Sequence, residues 1–125
     1  MLDHLSIQCE DFDAASAFYD TVLATIGGRR VLDFGTVIGY GVDFPDFWIG
    51  PVNTGEASRE VHIAFTAPDR AAVTAFRDAA AGLGAEVLHE PRRWPEYHDG
   101  YYGGFVRDTE GNNLEAVCHF AGPDD

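Results

Sequence analysis

A chain of 125 residues with 46% hydrophobic and 13% aromatic side chains can bury one real core without disulfide staples, and it is too apolar to be disordered. Eight arginines, no lysine and 21 acids leave a formal charge of −13, which excludes nucleic acid and anionic membrane surfaces as default partners and rules out a lysine Schiff base. The same charge suits a cationic ligand or a divalent metal, and with neither a membrane-length apolar run nor a basic-then-apolar leader the protein is expected to be cytoplasmic.

In chain order, residues 2–9 alternate apolar and polar, so they predict a strand with His4, Ser6 and Gln8 on one face. Asp11 fits an N-cap and Asp13 the positive end of the helix that follows. Ala15, Phe18, Tyr19, Val22, Leu23 and Ile26 recur at helical spacing until Gly27-Gly28 stops the run. Short strands follow near Arg29–Asp33, Thr36–Val42 and Phe47–Pro51, with turns at Gly35 and around Pro45. Residues 53–59 read as a linker. A strand over 60–66 then leads through Pro68-Asp69 into a helix carrying Val73, Phe76, Ala80 and Leu83, closed by Gly82 and Gly84. A strand near Ala85–His89 precedes an irregular loop from Glu90 to Gly100. Tyr101–Arg107 and Asn113–His119 complete the set, joined by the turn Asp108–Asn112, and the tail 122–125 is expected to fray.

The second half repeats the first at an offset of 58 residues. His4 matches His62, Asp11 matches Asp69, Ala14 matches Ala72, Phe18 matches Phe76 and Asp20 matches Asp78. The chain therefore predicts one α+β domain over 1–125 made of two β-α-β-β-β modules, 1–52 and 60–120. One helix covers one face of each sheet, and the other face is left to line a cleft. Leu5, Ile7, Ile63 and Phe65 suit the helix side, so both histidines point the other way. Cys9 and Cys118 have the helix-side parity and are expected as buried free thiols.

Glu115 lies in an otherwise apolar last-strand run, Leu114-Glu115-Ala116-Val117, with cleft-side parity. A lone carboxylate is costly to bury, so it must be paired, protonated or bound to a metal. His4, His62 and Glu115 form a two-histidine, one-carboxylate set that leaves positions open for substrate. For each residue the alternative is structural: a hydrogen-bonded histidine, or a carboxylate paired with arginine.

Leu2-Asp3-His4, Phe18-Tyr19, Val61-His62-Ile63-Ala64-Phe65 and the tail Tyr101-Tyr102-Gly103-Gly104-Phe105 … Asn113-Leu114-Glu115 resemble the vicinal oxygen chelate superfamily. That superfamily groups lactoylglutathione lyases, bleomycin-resistance proteins, fosfomycin transferases and extradiol dioxygenases. The resemblance covers nearly the whole chain. It implies paired modules forming a curved, cleft-lining mixed sheet, usually in a homodimer, with one divalent ion such as Fe(II), Mn(II) or Zn(II) held by His4, His62 and Glu115. It also implies a small-molecule substrate that chelates the ion through two adjacent oxygens. Lactoylglutathione lyases usually carry a fourth ligand at the end of the first module. Laying Phe47-Trp48-Ile49 on Leu114-Glu115-Ala116 puts Trp48 there, and indole cannot ligate, so a dioxygenase is favoured over a lyase or isomerase.

Around this centre, Glu115, Tyr97, His98 and Tyr101 are the candidates for catalysis, the last three for steadying an oxyanion or moving a proton, against a plain filling of the cleft mouth. Trp48, Tyr102 and Arg93 are candidate substrate contacts, Trp48 by stacking on an aromatic or cationic group. Gly103-Gly104 either admits a ligand to the backbone or marks a bent strand. The non-enzymatic alternative is a cleft that sequesters a cationic antibiotic such as bleomycin.

Overall fold

The computed structural model describes residues 1–122. The elements run β1 (Leu5–Cys9), α1 (Phe12–Ala24), β2 (Arg29–Asp33), β3 (Ile38–Gly41), β4 (Phe47–Pro51), β5 (His62–Thr66), α2 (Arg70–Gly82), β6 (Val87–Arg93), β7 (Tyr102–Arg107) and β8 (Asn113–Cys118). This is the expected α+β order, β-α-β-β-β twice. Residues 123–125 of the tail lie outside the described residues. No helix among the described residues is long and apolar enough to cross a membrane.

The duplication reaches the atoms that start and stop each helix. Asp11 accepts from the Ala14 amide at 3.0 Å and Asp69 from the Ala72 amide at 2.8 Å, each removing one of the unpaired donors of a first turn. At the other ends Gly27 (φ 89°) and Gly84 (φ 86°) take the left-handed conformation. That geometry lets Gly28 donate to the Leu23 carbonyl at 2.8 Å and Ala85 to the Ala80 carbonyl at 3.0 Å.

Each module forms one mixed four-stranded sheet, ordered β1-β4-β3-β2 and β5-β8-β7-β6, with β1–β4 and β5–β8 parallel and the remaining pairs antiparallel. Strands β1 and β5 are therefore edges. Strand β6 runs further than expected, through Pro91 to Arg93, in place of an irregular loop beginning at Glu90. Proline lacks a ladder donor, but β6 is an edge strand and its register slips between His89 and Arg92, where the ring fits. Gly104 on β7 faces that ring, because a Cβ there would lie 3.0 Å from the Pro91 Cγ.

One core serves both modules. Ile7, Cys9, Ile38, Tyr40, Phe47 and Ile49 from the first sheet join Ile63, Tyr102, Val106, Leu114, Ala116 and Cys118 from the second around Phe18, Tyr19, Val22, Val73 and Phe76 of the helices. Both cysteines are buried and free. Burial, with the Glu110 and Asp108 charges, pushes the Cys9 thiol up to about 12. Leu83, expected on the helix's buried face, instead forms the C-cap of α2 and is exposed, because the helix ends one residue earlier.

A polar tie also joins the modules. The Tyr19 hydroxyl donates to Asp108 Oδ2 at 2.5 Å, while Asp108 accepts from the Glu110 amide and from both the amide and side chain of Asn112. Glu110 in turn accepts from the backbone amides of Glu10 and Asp11. The 108–112 turn thus fastens the second module to the first helix.

Candidate functional site

Strand parity divides the residues of β5, β7 and β8. Those facing α2 are in the core. The opposite face carries His62 and Ala64 on β5, Asn113 and Glu115 on β8, and Gly103, Phe105 and Arg107 on β7. The ladder pairs His62 with Asn113, Ala64 with Glu115 and Phe105 with Glu115. That register brings the His62 imidazole to the carboxylate: Nε2 donates to Glu115 Oε1 across 2.9 Å. The two groups differ sharply in exposure, with the His62 side chain 52% exposed and that of Glu115 only 1%. Glu115 thus lies buried behind a half-exposed imidazole.

The second carboxylate oxygen is held as well. Tyr101 donates its hydroxyl to Glu115 Oε2. Burial, then the neighbouring carboxylate, raises the Tyr101 hydroxyl far above its ordinary range, which keeps it a donor. Gly103 makes the space, since a Cβ there would stand 3.0 Å from Glu115 Oε2 and 3.3 Å from the Tyr101 ring. Of the two expected glycine roles, room for a ligand and a bend in the strand, neither names what fills the space at Gly103, which is the carboxylate itself.

Aromatic rings surround this pair. Phe105 packs 5.7 Å from His62, and Trp94 meets Phe105 edge-on and stacks on Tyr97 at 5.5 Å. The Trp94 indole N–H donates to the Gly103 carbonyl at 2.9 Å, pinning the 94–101 segment to β7. Tyr101 is bracketed edge-to-face by Tyr97, His98 and His119, and the two imidazoles share a hydrogen bond of 2.9 Å. Tyr97 and His98 thus stand around Tyr101 rather than around Glu115. On the same strand face as Glu115, Asn113 Oδ1 is buried with no hydrogen-bond partner among the described residues.

Three candidates lie elsewhere. Tyr102 is buried on the α2 side, with the Arg70 guanidinium 4.1 Å over its ring, because neighbours in a strand face opposite ways. It is a core residue and not the substrate contact expected of it. The Arg93 guanidinium donates to the backbone carbonyls of Ala121 and Gly122, so it fastens the C-terminal segment. His4 is more than half exposed and bonded through Nδ1 to Asp3 at 2.7 Å. It lines a pocket of about 360 Å³ with Leu2, Val42, Asp46, Phe47 and Phe65, to which neither His62 nor Glu115 contributes. Among the described residues no three His, Cys, Asp or Glu side chains converge where they could hold a metal ion. His62 and Glu115 come together within the chain, and His4 does not join them.

Trp48 takes the register position on β4 that Glu115 takes on β8. It pairs with Ser6 on β1 and Gly39 on β3, as Glu115 pairs with Ala64 and Phe105. Its indole N–H donates to the Pro45 carbonyl at 3.1 Å and its ring lies parallel to Phe34 at 6.1 Å. It walls an open groove of about 420 Å³ with Ser6, Gln8, Thr36 and Asn53.

The donors that do converge suit a divalent cation. A nitrogen and an oxygen bound to one ion at about 2.1 Å each stand ~3.0–3.4 Å apart, so His62 Nε2 and Glu115 Oε1, held here 2.9 Å apart by an ordinary hydrogen bond, need move little to share one. Sequence reading missed Trp94, although the spacing of Trp94, Tyr97 and Tyr101 marks one aromatic surface. It also missed the unpaired Asn113, which strand parity places beside Glu115.

Fold and face together define a protein of paired β-α-β-β-β modules with an imidazole and a buried carboxylate on a sheet face that no helix covers. The model of a glyoxalase-like domain matches residues 4–117, and the chain belongs to that family, in keeping with its resemblance to the vicinal oxygen chelate superfamily. Among solved structures it is similar to a glyoxalase/bleomycin resistance protein from Albidiferax ferrireducens (22% identity, 96% of this chain and 97% of that one, TM-score 0.78). It is also similar to a lactoylglutathione lyase from Agrobacterium tumefaciens (26%, 95% and 91%, TM-score 0.65) and to a fosfomycin resistance protein from Listeria monocytogenes (16%, 98% and 93%, TM-score 0.68). No curated protein matches the sequence.

Proposed function

We propose that this chain is a metal-dependent enzyme acting on a small molecule that presents two adjacent oxygens, and that its site is completed across a homodimer. The observation that carries the reading is the His62–Glu115 pair: a half-exposed imidazole on a buried carboxylate, with donor atoms 2.9 Å apart. His62 and Glu115 of one copy and His4 of another would hold the ion. When bound, the ion supplies Lewis acidity toward the substrate oxygens. Asn113 Oδ1 offers an acceptor beside them for a substrate hydroxyl or N–H. Phe105 and Trp94 keep water away from the carboxylate side. Trp48 presents an aromatic wall where a fourth, base-supplying ligand would stand, so oxygenation with dioxygen as co-substrate is favoured over isomerisation.

The open edges β1 and β5, with exposed Leu2, Leu5, Val42, Phe44 and Val61 beside or near them, support a second copy as the missing partner. Mixing provides the test. His4→Ala and His62→Ala variants each lose bound metal, and after random re-pairing the mixture regains about a quarter of the wild-type sites, because half the dimers then hold one intact site. No recovery, with each variant monomeric, sinks the shared site. The second reading, sequestration of a cationic drug, is favoured by the open groove that Trp48 walls on a chain of charge −13. Metal-free protein that binds a cationic glycopeptide and consumes no dioxygen with catechols would establish it instead.

A further inference from the structure

We infer that Tyr101 and Gly103 are positioning residues that make Glu115 a one-oxygen donor, offering Oε1 beside His62 and withholding Oε2. The inference rests on the proposed reading only for the cation that Oε1 would meet. The arrangement of the carboxylate itself stands on the geometry of the chain.

Each carboxylate oxygen has a separate holder. Oε1 receives the His62 imidazole and Oε2 receives the Tyr101 hydroxyl. Tyr101 is itself fixed before any ligand arrives. Its carbonyl accepts from the Trp94 amide at 2.9 Å, its amide donates to the His98 carbonyl at 3.3 Å, and Tyr97, His98 and His119 pack against the ring. Gly103 supplies the remaining condition. A methyl group there would meet Oε2 at 3.0 Å and the Ala116 carbonyl at 3.4 Å, so the carboxylate would have to turn or the tyrosine to withdraw.

The chemical consequence concerns how many positions the ligand set occupies. A carboxylate that clamps an ion through both oxygens takes two places, and one held to a single oxygen takes one. With two imidazoles, the second case leaves room for both oxygens of a chelating substrate together with a small co-substrate. Tyr101 therefore acts through Glu115 and need not touch the substrate.

Two measurements on the full chain decide the matter, one without metal and one with it. In metal-free crystals, Tyr101→Phe and Gly103→Ala should each turn the Glu115 carboxylate away from its bond to His62, and a carboxylate unmoved in both variants overturns the inference. In protein loaded with Zn(II) and labelled with 13C-glutamate, the gap between the asymmetric and symmetric carboxylate stretches should be wide in wild type, as for one-oxygen ligation, and narrow in Tyr101→Phe. The same variant should bind Zn(II) on the order of 10- to 100-fold more weakly. A narrow gap in wild type, or a gap unchanged in the variant, also overturns it. Wild type that binds no Zn(II) removes the proposed metal chemistry instead, while the crystals still decide whether Tyr101 and Gly103 position the carboxylate.

Discussion

In the first module, the last strand turns Trp48 onto a flat seat made by Gly39 and Ser6. In the second, the same register position turns Glu115 between Phe105 and Ala64. The exchange is reciprocal: a large ring with a glycine neighbour on one side, a small carboxylate with a phenylalanine neighbour on the other. A Cβ on Gly39 would stand 2.8 Å from the indole, so the seat and the ring depend on each other. The helix-facing residues show no such divergence in kind, because they fill one shared core. Duplication fixed the frame through the buried face and left the uncovered face free to become two different surfaces.

The largest expected effect tests whether the two modules stand or fall together. Asp108→Ala removes the acceptor for Tyr19, for two backbone amides and for the Asn112 side chain, and it strands those buried donors. Destabilisation of about 3 kcal/mol is expected, since each unpaired buried group costs about 1–3 kcal/mol and some will find water. Urea denaturation followed by tryptophan fluorescence should show one transition moved to lower urea. Two separated transitions would mean that the turn, rather than the shared core, unites the modules.

A smaller effect probes the difference between the faces. Trp48→Glu gives the first module the donor that the second already has. If the two faces meet around one ion, Zn(II) affinity measured by calorimetry should rise about tenfold, equivalent to ~1.4 kcal/mol. Trp48→Leu serves as the control, because it removes the ring without adding a donor. Equal affinity in both variants would show that position 48 lies away from the ion.

Much of this comparison could be read in the sequence. The 58-residue offset predicts both helices and both aspartate caps, and period-two parity brings His62 and Glu115 to one face because ladder and alternation are local rules. Tyr102 shows the same rule neglected: a residue next to Tyr101 in a strand must face the other way, into the core. Strand β6 escaped because proline and charge imitate a loop, and only its place at the sheet edge makes Pro91 tolerable there. The tie between Tyr19 and Asp108 spans 89 residues and has no local signature. The position of His4 depends on how whole modules dock, which neither propensity nor periodicity encodes.

The smallest effect again sets matched residues against each other. Asp20 and Asp78 occupy equivalent places on α1 and α2, yet Asp20 is held by hydrogen bonds from two side chains, whereas Asp78 meets an Arg77 that also pairs with Glu90 at 2.9 Å. Asp20 accepts from Arg30 at 2.8 Å through both oxygens and from the Tyr40 hydroxyl at 2.8 Å. Asp78 lies 2.9 Å from Arg77 Nε, a contact without hydrogen-bond alignment, and its side chain is 63% exposed. For Asp20, burial favours the neutral acid, but the Arg30 and Tyr40 hydrogen bonds outweigh it and hold the carboxyl below its ordinary 3.8. A depressed folded value means that the network stabilises the chain at pH above that of the unfolded group and is lost as pH falls through the folded one. The side chain is 40% exposed, so solvent screening limits the contribution to under about 1 kcal/mol. Asp20→Asn should therefore be modestly less stable than wild type at pH 7, with the gap shrinking below pH 3.8 as the wild-type carboxylate is protonated. Asp78→Asn should stay within about 0.5 kcal/mol of wild type at pH 7. Thermal melts of the three proteins at matched pH would settle it. Equal losses in the two variants would mean that the helices' outer faces are as alike as their caps.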